Sequence, residues 1–361
     1  MEIKDRIKRK IIRIVLTLTA ILLLKGLFTW SHRFSDFYFH RWYDWVSGTF
    51  RQVTGIVPFS VGDVIYTAWI VTGIFFLLKL CYKLIRLLWA EAGLLFLRGI
   101  HTLLKLYLAF LILWGLNYDR NTLLRDTGIV TGKYDTQQLY QLSDTLLRLV
   151  NREKANLGDT LHAAAVNISG PAVFKMALRA YDSAAVKWPA LRYRHPSVKP
   201  ALFGEWLNYP GVTGYLNPFT AEAQVNTTVP AVVQPFVTCH EIAHQIGYAP
   251  EEDANFVGYL AATSIPDSRF RYAANFDMLL YSVRQLGRRD TTLAKEIWHR
   301  TVPGVKADYE VIMNFYEKYT GKIEDYSTVL YDQYLKANKQ DKGIRSYSEV
   351  TGWLIAYFQI R

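Results

Sequence analysis

Phe236-Val-Thr-Cys-His-Glu-Ile-Ala-His-Gln-Ile-Gly247, then Tyr248-Ala-Pro250, then Glu251-Glu-Asp-Ala-Asn-Phe-Val-Gly-Tyr-Leu-Ala261, is the stretch on which the fold and the chemistry of this chain turn. Its pattern predicts two short helices. The first starts after Pro235 and stops at Gly247, a residue suited to a helix C-cap. The second starts just after Pro250. Residues four apart on a helix share a face, so His240 and His244 can offer both imidazoles to one metal ion. Glu241 stands at the side of that face. It is suited to accept a proton from water activated by the metal and to pass it to a leaving amine.

A catalytic site of this kind needs a third protein ligand and an open position. A metzincin would place a third histidine at position 250, where this chain has Pro250. Acids follow at once. Glu251 is the expected ligand, with Asp253 and then Glu252 as alternatives, and zinc is the expected ion for a His/His/Glu set. Glu251 and Asn255 match the first and last positions of the ExxxD helix of integral-membrane HExxH proteases, with asparagine in place of aspartate. Asn255 could orient a histidine through its second ring nitrogen. The competing reading is an amphipathic helix with two ordinary, partly buried histidines. The small and apolar flanks, the glycine stop and the acidic start of the next helix favour the metal.

Just upstream, residues 214–230 read GYLNPFTAEAQVNTTVP, with extended pieces expected at 214–216 and 222–226. Residues 217–226 could form a cleft edge that pairs with substrate backbone, or simply a core hairpin. Among 24 tyrosines, Tyr215, Tyr259 and Tyr347 are candidates to stabilise a tetrahedral oxyanion. Helical patterns are expected at 135–155, 167–185, 268–286, 291–298, 305–320, 325–338 and 346–358. Residues 188–210 are rich in proline and aromatics and read as loop.

The N-terminal third is different. Three apolar runs, at about 11–29, 60–80 and 93–116, are each long enough to cross about 30 Å of hydrocarbon as a helix. The basic opening and the lack of a small-x-small cleavage site after the first run favour a retained anchor over a removed signal. Between the first two runs, residues 30–58 alternate aromatics with charges and read as an amphipathic segment at the membrane surface. His101 and Lys105 lie four apart on the third run, which suggests either helix packing or an intramembrane site.

The net charge of +11 does not point to nucleic acid. Residues 1–120 carry 16 Lys/Arg against 7 Asp/Glu, whereas residues 121–361 carry 26 against 24. The basicity therefore flanks the apolar runs, where it orients spans and meets anionic lipid. The first thirteen residues and the link between the second and third runs are the basic parts. The positive-inside rule puts them in the cytoplasm and the C-terminal portion outside, which is the periplasm of a bacterial inner-membrane protein. Cys81 and Cys239 form no disulfide framework.

The stretches GYLNPFTAEAQVN, CHEIAHQIGYAPEEDANFVGYLA and YDQYLKANKQDKGIRSYSEV (331–350), together with the membrane runs, resemble the bacterial family catalogued as domain of unknown function 3810. The resemblance implies a membrane-bound, zinc-protease-like protein. The expected architecture is a membrane anchor over 1–117 and a mostly α-helical zincin-like domain over 118–361, with a small sheet possible. The expected function is a membrane-bound zinc endopeptidase with Glu241 as general base, acting on a peptide or protein of the cell envelope. The alternatives are a zinc-binding scaffold or signalling protein, or a zinc hydrolase acting on another envelope substrate.

Overall fold

The structure, a computed structural model, describes residues 2–120, 123–163, 168, 170–337 and 350–360. Three helices are long and apolar enough to cross a membrane: α1 (Glu2–Trp30), α4 (Val61–Ile85) and α5 (Trp89–Leu113). Their side chains are mostly exposed apolar groups, the surface that lipid rather than water tolerates. This is a multi-pass membrane protein. The helices extend beyond the sequence-based limits at their basic ends, because lysines and arginines continue a helix without difficulty. α5 stops at Leu113, where the chain tightens into a 3-10 turn over Gly115–Asp119. His101 faces α1, with its ring nitrogens 3.3 Å from Lys10 Nζ and 3.2 Å from Thr17 Oγ1, which is the packing reading of that histidine.

The aromatic segment is not simply laid on a surface. It folds as α2 (His32–Phe37), a π-turn (Tyr38–Trp42) and α3 (Tyr43–Thr54). Tyr38, Phe39 and Tyr43 are buried with Phe28 of α1, with Leu111 of α5, and with Trp114 and Ala249. The alternation of charges and rings therefore builds a small second core, which joins the C-terminal ends of α1 and α5 to the turn after the histidine motif.

The rest of the described chain is mostly helical. Its helices are α6 (Leu123–Thr127), α7 (Thr136–Asn156), α8 (Gly170–Lys187), α9 (Gly204–Asn208), α10 (Gln234–Gln245), α11 (Glu251–Thr263), α12 (Ser268–Arg289), α13 (Thr291–His299), α14 (Pro303–Glu317), α15 (Lys322–Ala337) and α16 (Val350–Tyr357). α7 shows why the pattern is helical: Leu139, Leu142, Leu146 and Val150 recur at helical spacing and are all fully buried. An Asp135–Gln138 capping box starts it. α7 packs along α12 and α10 along α11, with α8 across α10 and α11 and α16 against α7 and α11. Residues 167 and 169 of the expected α8, and 346–349 of the expected last helix, lie outside the described residues.

The sheet has three short strands, β1 (Val198–Pro200), β2 (Gly214–Leu216) and β3 (Ala223–Val225), in the order β1-β3-β2. β1 and β3 are parallel and β2 and β3 antiparallel. β2 and β3 are the two extended pieces expected from sequence. β1 lies inside the proline-rich stretch read as loop. The central position of β3 also corrects the proposed cleft edge: residues 223–225 are buried between β1 and β2, and of these two edge strands it is Gly214–Leu216 that lies against Glu241 of the motif.

The sheet is tied directly to a membrane span. The buried carboxylate of Glu222 accepts the backbone N–H of Val61 (3.1 Å) and of Gly62 (2.6 Å) in the first turn of α4. An anion at this point satisfies orphan donors and meets the positive end of the helix dipole. Asp63, in the same turn, accepts the N–H of Leu202 at 2.8 Å and the hydroxyl of Tyr215.

Candidate metal centre

α10 ends because Gly247 adopts a left-handed backbone, with φ of +97°. The Tyr248 N–H bonds back to the Ala243 carbonyl at 3.1 Å, and the Gly247 N–H to the His244 carbonyl at 2.9 Å. This Schellman-type turn reverses the chain and brings the Tyr248 carbonyl onto the motif helix. There it sits 2.8 Å from His244 Nδ1. A carbonyl only accepts, so Nδ1 carries the proton and the His244 Nε2 is the ring nitrogen directed at the centre.

Four residues after the turn starts, α11 begins and runs back beside α10. Close approach is possible because Gly258 faces the motif: a Cβ there would lie 3.0 Å from the His240 backbone nitrogen. Glu251, Ala254 and Gly258 fall on one helical face, so the contact at Gly258 sets the position of the Glu251 carboxylate two turns away. Gly258→Val is expected to spread the helix pair, costing about 1–3 kcal/mol of stability. It should also weaken metal binding, to be checked by thermal unfolding with and without added zinc. Unchanged unfolding and unchanged zinc response would show that the spacing of α10 and α11 is not critical.

Glu251 Oε2 lies 3.3 Å from His240 Nε2 and 3.7 Å from His244 Nε2. One ligand atom from each of the three residues lies within 4.8 Å of the others, a grouping that could hold a metal ion. The three side chains are nearly buried. Burial opposes ionisation of Glu251, yet the two histidines hold its carboxyl well below the usual carboxylate range. Burial likewise opposes charge on His244, and Glu251, with Glu241 behind it, overrides this and lifts the imidazolium to about 9. Two imidazole nitrogens and one carboxylate oxygen, with the His244 tautomer fixed by a backbone carbonyl, form a donor set that fits zinc.

The alternative ligands are turned away. Glu252 and Asp253 line a separate cavity of about 660 Å³ together with Arg120, Lys133 and Arg289. Successive helical residues are rotated by about 100°, so only one of three consecutive acids can face the histidines. Asn255 does not take the orienting role on His244, which Tyr248 fills. Nor does it bond His240: the Asn255 side-chain nitrogen and His240 Nδ1 are both buried without a hydrogen-bond partner among the described residues.

Glu241 is buried beside the group. Its carboxylate packs against β2 so tightly that a Cβ at Gly214 would lie 2.7 Å from Oε1. Oε2 has no hydrogen-bond partner among the described residues. Burial raises the pKa of this carboxyl, His240 and His244 pull it down, and Glu251 pushes it up again. The motif helix is further anchored to the sheet by Gln245, whose side-chain nitrogen donates to the carbonyls of Ser197 (2.9 Å) and Ala221 (2.7 Å).

Three residues that sequence reasoning passed over complete the surroundings. Tyr43 donates from the aromatic segment to the Gln245 carbonyl at 3.1 Å, and Arg120 donates to the Ile246 carbonyl at 2.9 Å. Both satisfy the C-terminal carbonyls of α10. Trp114, one residue beyond α5, sets its ring edge-on to His244, with centroids 6.0 Å apart. The sequence signal for Tyr43 was its place in the aromatic segment, and for Trp114 and Arg120 their place at the end of the third apolar run. Of the tyrosines singled out earlier, Tyr215 bonds Asp63 and Tyr259 donates to Asn275 at 2.9 Å, so neither hydroxyl is offered to the centre. Tyr347 lies outside the described residues. The tyrosines that sense the Glu251 charge are Tyr281 of α12, raised chiefly by burial, and Tyr334 of α15, pushed up to about 12 by burial.

Fold and site together define a class: a multi-pass, mostly helical membrane protein with a two-histidine, one-carboxylate cluster on paired helices next to the C-terminal ends of its first and third spans. The chain belongs to the family described as Protein of unknown function (DUF3810), whose profile matches residues 38–355. No curated protein and no solved structure matches it.

Proposed function

We propose that this protein is a membrane-bound zinc peptidase with a zincin-like catalytic unit over residues 118–361, anchored through residues 1–117. The observation that carries the reading is Glu241: a buried carboxylate with an open oxygen, set beside two histidines and a glutamate that could hold an ion. A purely structural metal site has no use for such a group. His240, His244 and Glu251 would hold the zinc. When bound, zinc polarises the scissile carbonyl and makes water a stronger acid. Glu241 takes the proton of the attacking water at Oε2 and returns it to the departing amine. Its raised affinity for protons, set by burial, suits that exchange.

The free edge of β2 supports a peptide rather than a small ester as substrate. In the antiparallel pairing of β2 with β3, Tyr215 turns its backbone groups inward, and Gly214 and Leu216 turn theirs outward. An extended chain could add there as a further strand, with Gly214 holding it next to Glu241. By the positive-inside rule the centre lies on the outer side of a bacterial inner membrane, so the substrates are envelope polypeptides.

The test uses the full chain reconstituted with membrane and envelope extracts from a strain lacking it, with new peptide termini mapped by mass spectrometry. Wild type should generate a reproducible set of termini that is absent with Glu241→Gln. An identical set from both proteins, or none from a zinc-loaded wild type, would leave the scaffold reading standing in its place.

A further inference from the structure

We infer that a lipid bilayer covers an apolar face formed by α15 and the loop around α9, so that the metal-bearing part of the chain rests on the membrane surface as well as being tethered to it. α15 carries Ile323, Tyr326, Val329 and Leu330 on one side, all exposed, with Tyr326 and Leu330 each 70% accessible. The spacing puts them on a single helical stripe. Asp325, Asp332 and Lys336 occupy another sector, with an Asp332–Lys336 ion pair at 2.6 Å. Among the described side chains of this helix, Leu335 alone is fully buried against the body. Beside the helix, Phe203 is exposed and Trp206 is 72% accessible. Contiguous large apolar groups of this kind mark a surface that something covers.

The fold indicates what covers it. α15 is pinned at two points, each next to the outer end of a membrane span. Near its C-terminus, Tyr334 lies against Phe110 in the last turn of α5, with ring centroids 6.5 Å apart, and hydrogen-bonds Tyr118 at 3.2 Å. Toward its N-terminal half, Ser327 Oγ donates to the Pro210 carbonyl at 3.3 Å, just beyond α9. The other end of that same loop, Leu202, is bonded to Asp63 in the first turn of α4. α4 and α5 are antiparallel and joined by a tight turn, so these two ends reach the same leaflet. The apolar stripe therefore continues the lipid-facing surface of the spans at the level where hydrocarbon meets headgroups. Tryptophan and tyrosine beside aliphatic side chains, with charges on a separate sector, are what an in-plane helix presents there. The contact requires no metal.

The experiment places a nitroxide label at Leu330→Cys, Trp206→Cys or Thr328→Cys in the full chain carrying Cys81→Ser, in nanodiscs of phosphatidylcholine and phosphatidylglycerol. The buried Cys239 is left in place. Collisions with oxygen, which concentrates in lipid, are compared with those of a water-soluble nickel chelate. At positions 330 and 206 oxygen should exceed nickel several-fold, and at the polar position 328 the order should reverse. Nickel dominance at 330 and 206 would overturn the inference. So would protection from both reagents with dipolar broadening between labels, which would identify a second copy of the chain as the cover.

Discussion

His244→Ala is expected to empty the metal centre. Full-length protein in detergent or nanodiscs, supplied with zinc and then desalted, should hold about one zinc per chain when wild type. The same treatment should leave His240→Ala, His244→Ala and Glu251→Ala nearly metal-free. Loss of a mere outer partner of a ligand costs about 10–100-fold in affinity, and loss of one of three ligands should exceed that. Glu241→Gln should retain its zinc, because Glu241 is a neighbour of the cluster and not a member of it.

The same titration carries a pH signature. Without metal, His244 holds its proton up to about 9, because the adjacent Glu251 overrides the effect of burial. Zinc must displace that proton. Apparent affinity should therefore rise about tenfold per pH unit through neutrality and level off near pH 9, with about one proton released per zinc at pH 7. Calorimetry in two buffers of different ionisation enthalpy measures the release. If wild type binds no zinc, or His244→Ala binds it equally well, the histidines are ordinary core residues and the peptidase reading is lost.

Lys154→Met is the second change expected to have a large effect, and it lies away from the metal. Lys154 and Asp308 are both buried and 2.7 Å apart, joining α7 to α14, and the Tyr272 hydroxyl donates to the same Asp308 oxygen at 2.5 Å. Removing the lysine breaks a buried ion pair from one side, which costs about 3–5 kcal/mol. For a unit of this size the thermal midpoint should fall by on the order of 10 °C. Lys154→Met combined with Asp308→Leu should recover most of the loss, because the pair is then replaced by packed apolar groups rather than broken. A double variant no more stable than the single one would show that the ion pair is not the source of the effect.

The site was legible in sequence to the extent that its parts are local. His240 and His244 are related by one helical turn, and Gly247 announces where that helix must stop. Choosing Glu251 among three acids depended on the angle at which α11 returns, which the close approach at Gly258 sets. What could not be read was long-range. β1 exists only because Val198–Pro200 finds Ala223–Val225, and no propensity in a proline-rich triplet announces that. Tyr43 reaches Gln245 across 202 residues of chain. Tyr215 and Tyr259 proved to be committed elsewhere for a related reason. Nothing near Tyr215 in sequence reveals that its hydroxyl is committed to Asp63 in the first turn of a span. The membrane runs were the plainest feature, since predominantly apolar runs of about twenty residues have few other uses, yet the small core that the ends of α1 and α5 build with Tyr38, Phe39 and Tyr43 depends on contacts between distant segments.

Tyr43 and Trp114 give this arrangement an order in time. Both belong to segments that leave the ribosome well before His240, and both are buried where the C-terminal ends of α1 and α5 meet. The carbonyls at the end of the motif helix wait for Tyr43, and the His244 ring waits for Trp114. The seating of the motif helix is thus coupled to the packing of the anchor, which makes the anchor part of the candidate metal centre rather than a tether alone.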